Sequence, residues 1–338
     1  MAVKPNKIII IAEAGVNHNA SMERARLMVK EAARAGADYV KFQTAVPELV
    51  ISSIAPKAEY QKETTGAAES QLDMCRAIHL PLEAYAELAE LCRNEGIGFM
   101  STPFDLVSID TLAALDMDFW KIPSGEITNL PYLRKIAHRG ERVIMSTGMS
   151  TLGEVEEALQ VLEQNGTPRK DVILLHCTTQ YPTPMEDVNL LAMNHLRTLG
   201  AGGVGYSDHT LGIEVPIAAA ALGACVIEKH FTLDKSLPGP DHRASLDPSE
   251  LAAMVRSVRN VERAMGDGRK RVASSEQSNI AVARKSIVAS RDIAAGEIFT
   301  EDNITVKRPG GGISPMDWDR VIGKRAIRDF GYDTLIEL

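Results

Sequence analysis

The sequence predicts an α/β chain: a (β/α)8 barrel of the TIM type over residues 1–265, a polar linker over 266–279, and a small C-terminal module over 280–338. Three observations carry this. Eight short apolar, β-branched runs occur without polar alternation, as in strands covered on both faces. Amphipathic helical stretches fall between them. Nearly every run ends in a polar or ionisable residue, which is costly to bury unless the ends share one pocket. In parallel α/β architectures that pocket lies at the carboxyl ends of the strands.

In chain order the runs are Ile8–Glu13, Tyr39–Gln43, Gly98–Thr102, Phe119–Ile122, Val143–Thr147, Val172–Cys177, Gly203–Ser207 and Cys225–His230. Helical patterns include Met22–Ala35, Leu82–Asn94, Val107–Leu115, Leu152–Asn165 and Val215–Leu222. A last helix, Asp247–Met265, opens on Asp247-Pro248-Ser249-Glu250, with a capping aspartate, a proline in the first turn and an acidic residue behind it. A doubly wound sheet would need fewer strands and usually a glycine-rich phosphate loop, and the chain has neither GxGxxG nor a Walker A pattern. The crossover after Gln43 is long, as functional loops are, and Gly66-Ala67-Ala68 is expected to be a mobile tip. After Met265, GDGRKRVASSEQSN is polar and free of large apolar residues, which reads as a linker. The module that follows is marginal as an independent domain and is expected to dock on its own barrel or a partner chain.

Composition narrows the function. A chain of 338 residues that is 45% apolar supports a large core. A net charge of −8 argues against nucleic acid as the main partner, so an anionic substrate needs locally placed lysines or arginines. The four cysteines, Cys75, Cys92, Cys177 and Cys225, form no CxxC pair, and no zinc knuckle or disulfide framework is signalled. The N-terminus lacks the long apolar region of a signal peptide. The apolar run Val215–Ile227 is too short to span a bilayer and contains Pro216. A cytoplasmic protein without a membrane partner is expected.

The strand ends then supply the site. The first gives Glu13 with Asn17 and His18 beyond it, the second Lys41 and Gln43, and the third Ser101-Thr102. The fourth gives Lys121, Ser124 and Glu126, and the fifth Ser146-Thr147. The sixth brings His176, Cys177, Thr179 and Tyr181. The last two bring Ser207, Asp208 and His209, and Glu228, Lys229 and His230. Two lysines in one barrel mouth, with hydroxyl and backbone donors around them, suit a phosphate or carboxylate. Histidines on adjacent strands, His209 and His230, suit a divalent transition metal with open positions, acting as a Lewis acid. Glu13, Glu126 and Asp241 are candidates for proton transfer. Bland roles stand beside these. His18 and His176 fit a hydrogen-bonded structural role as well as a ligand role. Cys177 reads as a small core residue and Asp208 as an orienting partner of His209. Lys229 alternates with Glu228 and His230 and is expected to face outward into a surface pair.

The ordered motifs AEAGVNHN at Ala12–Asn19, VKFQT at Val40–Thr44, STPF at Ser101–Phe104, KIPSGE at Lys121–Glu126, STGM at Ser146–Met149, HCTTQYPTP at His176–Pro184, GYSDHT at Gly205–Thr210 and EKHFT at Glu228–Thr232 together resemble the sialic acid synthase family. KRPGGGIS at Lys307–Ser314 is similar to that family's antifreeze-like (SAF) domain. The resemblance implies condensation of phosphoenolpyruvate with an N-acetylated hexosamine to a nine-carbon 2-keto sugar acid, releasing phosphate, with manganese or magnesium as cofactor. It implies that Lys41, Thr102, Lys121, Ser124, Ser146, Ser207, Tyr181 and Thr179 hold phosphoenolpyruvate. His209 and His230 would hold the metal, Glu126 would assist proton transfer, and Glu13, Asp241 and Gln43 would stand near the sugar. It also implies a domain-swapped homodimer in which Arg308 reaches the sugar's acetamido group in the partner's site.

Within the family, Phe42 and Thr179 stand where sialate-making members commonly carry histidine and asparagine, and Arg284 falls where they have an aromatic residue. The long loop with Tyr60-Gln61 and Thr64-Thr65, and the Arg284-Lys285-Ser286 run, look more like the legionaminic acid synthases. Those accept 2,4-diacetamido-2,4,6-trideoxymannose. The alternatives are an N-acetylneuraminate synthase using N-acetylmannosamine, a synthase of phosphorylated keto-sugars, and a non-catalytic sugar-binding protein. A phosphorylated sugar would need a second basic cluster, which the motifs do not provide. A binding protein has no need for the strand-end lysines and histidines.

Overall fold

The computed structural model describes residues 7–59, 61–62 and 70–338. Tyr60, Thr64, Thr65 and the Gly66-Ala67-Ala68 tip lie outside these residues. The chain divides into two compact units, Met1–Asp267 and Gly268–Leu338.

The first unit is a ring of eight parallel strands: β1 (Ile9–Gly15), β2 (Tyr39–Thr44), β3 (Gly98–Pro103), β4 (Trp120–Ile122), β5 (Val143–Ser146), β6 (Val172–His176), β7 (Gly203–Asp208) and β8 (Val226–His230). Hydrogen-bonded neighbours run β3-β2-β1-β8-β7-β6-β5-β4, and β3 and β4 lie side by side to close the ring. Helices alternate with the strands, so this is the predicted (β/α)8 barrel. The sequence patterns above omitted the helices Leu130–Ala137 after β4 and Ala192–Arg197 after β6, both short. The long crossover after β2 carries the helices Pro47–Val50 and Gln71–Ile78.

Local chemistry sets the helix bounds. Ser21 caps the helix Met22–Ala35 by accepting from the Arg24 N–H, and Gly36, at φ +82°, ends it in the left-handed region. The buried residues Ala25, Met28, Val29 and Ala32 repeat at helical spacing and face the sheet. Asp247 and Glu250 form a reciprocal capping box ahead of Pro248–Met265.

The barrel interior is built in layers, because alternate strand residues point inward. Ile11, Met100, Ile144, Leu175 and Val226 form a small apolar cluster of their own. Two residues further along the same strands stand Glu13, Thr102, Ser146, Cys177 and Glu228. The inward face therefore changes from oil to polar groups near the carboxyl rim. The outward face packs under the helices in the main core. There each fully buried Leu, Ile or Phe contributes about 1.5–3 kcal/mol.

The second unit pairs β9 (Ser286–Ala289) antiparallel with β10 (Ile304–Lys307) around its own core, which includes Ile287, Ile293, Phe299, Val321 and Phe330. A turn at Ser274–Glu276 and a helix at Gln277–Ala283 begin within the stretch read from sequence as linker. No helix among the described residues is long and apolar enough to cross a membrane.

Candidate active site

The strand register brings the site together. Glu13 on β1 lies opposite Lys41 on β2 and opposite His230 on β8. Ser207 on β7 lies opposite Glu228 on β8. The polar ends line a cavity of about 180 Å³. Its wall includes Glu13, Lys41, Gln43, Thr102, Lys121, Ser124, Ser146, Thr179, Tyr181, Ser207, His209 and His230, all named from sequence. It also includes Glu228, Cys177, Phe104 and Met149. A neighbouring cavity of about 400 Å³ shares Met149 and Cys177 but has no Lys, Arg, Asp or Glu in its wall.

Two ammonium groups share one carboxylate. Lys41 Nζ lies 3.4 Å from Glu228 Oε2, and Lys121 Nζ lies 3.7 Å from Glu228 Oε1. Lys41 is also 3.0 Å from Glu13 Oε2 and donates to Thr102 Oγ1 at 3.1 Å. The Glu13 contact is an ion pair without hydrogen-bond alignment, since Oε2 has no hydrogen-bond partner. Lys121 donates to Ser146 Oγ at 2.8 Å, and Ser207 Oγ donates to Glu228 Oε1 at 2.9 Å. Glu228, a strand-end residue to which the sequence assigned no role, thus belongs to the site. The available signal was parity, because it shares its strand face with His230.

Burial dominates the electrostatics. It raises the Glu13 carboxyl pKa, opposed in part by Lys41. Burial works the same way on Glu228, but Lys121 and Lys41 outweigh it and hold that carboxyl low. Burial disfavours both ammonium groups. At Lys41 the Glu13 and Glu228 carboxylates reverse the shift to a rise, whereas Lys121 stays lowered. Glu228 therefore carries the firm negative charge of the group.

The His209 and His230 ring centres are 5.4 Å apart. Imidazoles sharing an ion at metal–nitrogen distances of about 2.0–2.1 Å have ring centres about 5 Å apart. Burial depresses both pKa values, His209 to about 4, so both rings are neutral at pH 7. His209 Nδ1 donates to the Thr178 carbonyl at 2.6 Å, which leaves Nε2 as a lone-pair donor. His230 Nδ1 is buried without a hydrogen-bond partner. These residues fit a divalent ion with open positions. Among the described residues no group of three or more His, Cys, Asp or Glu side chains offers a fuller cage. Tyr181 packs against the pair, tilted to His209 with ring centres 4.1 Å apart and edge-on to His230 at 5.6 Å.

Gly15 keeps this corner open. Its φ is +54°, and a Cβ there would meet Glu13 Oε1 at 3.3 Å, Gln43 Nε2 at 3.4 Å and His230 Cε1 at 3.5 Å. Gln43 Nε2 donates to Glu13 Oε1 at 3.1 Å. Across the cavity the Gly148 N–H donates to Ser124 Oγ at 2.9 Å. Ser124 Oγ also lies 3.3 Å from Cys177 Sγ, so Cys177 is a wall residue as well as a buried one.

Other expectations change. Lys229 is not a surface residue: it is fully buried and donates to Asp208 Oδ2 and the Thr210 carbonyl. It does face away from Glu228 and His230, but in a closed barrel that direction leads under the helices. Asp208 accordingly holds Lys229 and Thr210, while His209 is oriented by Thr178. His176 Nε2 bonds the Val188 carbonyl and His18 Nδ1 accepts from the Ala20 N–H, and neither residue lines the rim cavity.

Two expected site residues of the barrel, Glu126 and Asp241, are not in the cavity wall. The Glu126 carboxylate accepts from Asn129 Nδ2, with its pKa raised by burial. Asp241 is buried at the head of the turn His242–Ala244, with burial raising its pKa to about 6. Arg308 belongs to the second unit, where its Nε donates to the Ala283 carbonyl.

A parallel barrel whose rim gathers paired ammonium groups, neutral imidazoles and hydroxyls is an enzyme architecture for a small anionic substrate. The chain belongs to the NeuB family, whose pattern matches residues 28–270, and an SAF domain matches residues 284–337. It is 53% identical over 330 residues to the N,N'-diacetyllegionaminic acid synthase of Campylobacter jejuni, covering 98% of this chain and 99% of the relative. The synthase of the same name from Legionella pneumophila is 46% identical, with 97% and 92% covered. Among solved structures, the N-acetylneuraminic acid synthetase of Leptospira borgpetersenii superposes with a TM-score of 0.70 at 33% identity, covering 81% of this chain and 90% of that one.

Proposed function

We propose that this chain condenses phosphoenolpyruvate with 2,4-diacetamido-2,4,6-trideoxymannose, giving N,N'-diacetyllegionaminate and phosphate. The observation that carries this is the pair of buried ammonium groups, Lys41 and Lys121, set among Thr102, Ser146 and Ser207 in one rim cavity. The substrate follows from the two synthases of that name, which align with nearly the whole chain.

In this reading Lys41, Lys121, Thr102, Ser124, Ser146, Ser207, Thr179 and Tyr181 hold the phosphate and carboxylate. A manganese or magnesium ion between His209 and His230 would supply Lewis-acid polarisation of the sugar aldehyde. The new C–C bond joins C3 of phosphoenolpyruvate to the aldehyde carbon, whose oxygen takes up a proton. Water adds at C2, and loss of phosphate from that tetrahedral centre leaves the keto group. Of the three carboxylates named for proton transfer, Glu13 is the one in the cavity wall, so we assign that role to it and leave Glu126 and Asp241 supporting positions around the site. The lysines and hydroxyls are held before substrate arrives, so charge developing in the transition state meets oriented donors. Arg308 is assigned to the acetamido group at C2, supplied across a homodimer, on the strength of the family resemblance of its KRPGGGIS motif.

The test is phosphate release from phosphoenolpyruvate with this sugar, with N-acetylmannosamine, and with chelator present. Release with the diacetamido sugar at higher kcat/KM than with N-acetylmannosamine is expected, and its loss on metal removal. No release with either sugar rejects the enzyme reading.

A further inference from the structure

A further pocket of about 160 Å³ opens beside the rim cavity and shares two of its walls, Gln43 and Phe104. That is well beyond the roughly 10–15 Å³ that admits one water. The remaining walls come from the crossover after β2. Pro47, Val50 and Ile51 give apolar surface, while Gln71 and His79, at the two ends of the helix Gln71–Ile78, give polar groups.

The polar groups are specific in what they can pair. His79 Nδ1 lies 2.9 Å from the Cys75 carbonyl. A carbonyl only accepts, so Nδ1 carries the hydrogen and Nε2 is left as an acceptor. Burial holds the His79 pKa below its ordinary value, so the ring stays neutral at pH 7. The Gln71 carboxamide makes no hydrogen bond to another described residue and has a donor to offer. The annex thus presents the His79 acceptor, the Gln71 carboxamide with its donor, and an apolar wall. An acetamido group presents one N–H, one carbonyl and one methyl.

We propose that this annex seats the C4 acetamido group of the sugar, with its N–H donated to His79 Nε2, its carbonyl facing the Gln71 amide and its methyl against Pro47, Val50 and Ile51. The proposal rests on the synthase reading above and deepens it. It makes the annex the site that separates a diacetamido sugar from N-acetylmannosamine. A hydroxyl at C4 would leave the annex unfilled and its two polar partners unpaired, the arrangement by which a site rejects an analogue most strongly.

The experiment uses two variants of the full chain. Ile51→Trp fills the annex, and Gln71→Leu removes the donor at a partly exposed helix start. Phosphate release gives kcat/KM for the diacetamido sugar, and calorimetric titration without sugar gives the Kd of phosphoenolpyruvate. Each variant is expected to lower kcat/KM roughly tenfold or more, with the phosphoenolpyruvate Kd unchanged. Unchanged kcat/KM in both variants, or a parallel loss of phosphoenolpyruvate binding, overturns the annex and leaves the synthase reading standing. A wild-type chain that releases no phosphate with the diacetamido sugar overturns the synthase reading and the annex with it.

Discussion

Lys229→Met tests the buried pair beside the His209–His230 corner. Lys229 and Asp208 are both 0% exposed in their side chains. The substitution keeps roughly the same volume and removes the charge. Asp208 is then left with the Thr210 N–H at 3.1 Å and the Thr210 hydroxyl at 3.0 Å as its donors. The Thr210 carbonyl also loses its donor. Removing one partner of a buried ion pair costs about 3–5 kcal/mol. For a barrel of this size that lowers Tm by roughly 6–20 °C. A surface pair would cost only about 0.2–1 kcal/mol, so the two placements of Lys229 are separable. Urea unfolding in a Trp318→Phe background makes Trp120 the sole tryptophan, reporting on the barrel alone. Asp208→Asn combined with Lys229→Met should cost less than the sum of the two single changes, because the orphaned charge is gone. A loss below about 1 kcal/mol, or strict additivity, would refute the argument.

Three further outcomes are expected. Burial, with His79 and His242 nearby, lowers the His18 pKa to about 3, and burial lowers that of His242 to about 4. Their stabilisation is therefore complete above the ordinary value of 6.5 and is lost as pH falls through that value towards 3–4. Each contributes a slope of about 1.4 kcal/mol per pH unit within its window. His18→Gln should flatten urea-derived stability against pH by one such slope, and parallel curves would contradict this. Gly15→Ala places a Cβ against Glu13, Gln43 and His230 at a left-handed position, and should cost about 1–2 kcal/mol in urea unfolding while lowering phosphate release. His230→Ala removes a ring with no hydrogen bond to a described residue. Phosphate release should vanish with Tm nearly held, and undiminished turnover would show that the imidazole pair is not the metal site.

Much of this was legible because barrel strands encode two things at once. Absence of alternation marked strands covered on both faces, and the terminal polar residues marked the rim. Which end residues meet is a matter of parity, and there the sequence reading was uneven. Lys41, Lys121, Ser146 and Ser207 were placed on the inward face, yet Glu228 was given no role although it stands two residues before His230. Lys229 was assigned the correct opposite face and the wrong environment, because outward from a closed sheet leads into the helix layer rather than water. The hydrogen bonds made by Glu126 and the seat of Asp241 depend on loop conformation, which no strand period encodes. The helix Gln277–Ala283 is short and exposed, with none of its residues buried, so its composition resembled a linker.

The two lysines explain why Glu228 belongs in the site. An ammonium buried without a partner would lose its proton or leave the rim. Glu228 holds both, one on each oxygen, and Ser207 fixes the oxygen shared with Lys121. At 3.4 Å and 3.7 Å these contacts are longer than close ion pairs, so each ammonium keeps capacity for an incoming anion. Thr102 and Ser146 accept from the same nitrogens and set their direction. The carboxylate is therefore a scaffold for cations rather than a rival for them. That arrangement keeps two oriented ammonium groups in one rim cavity of a chain with net charge −8.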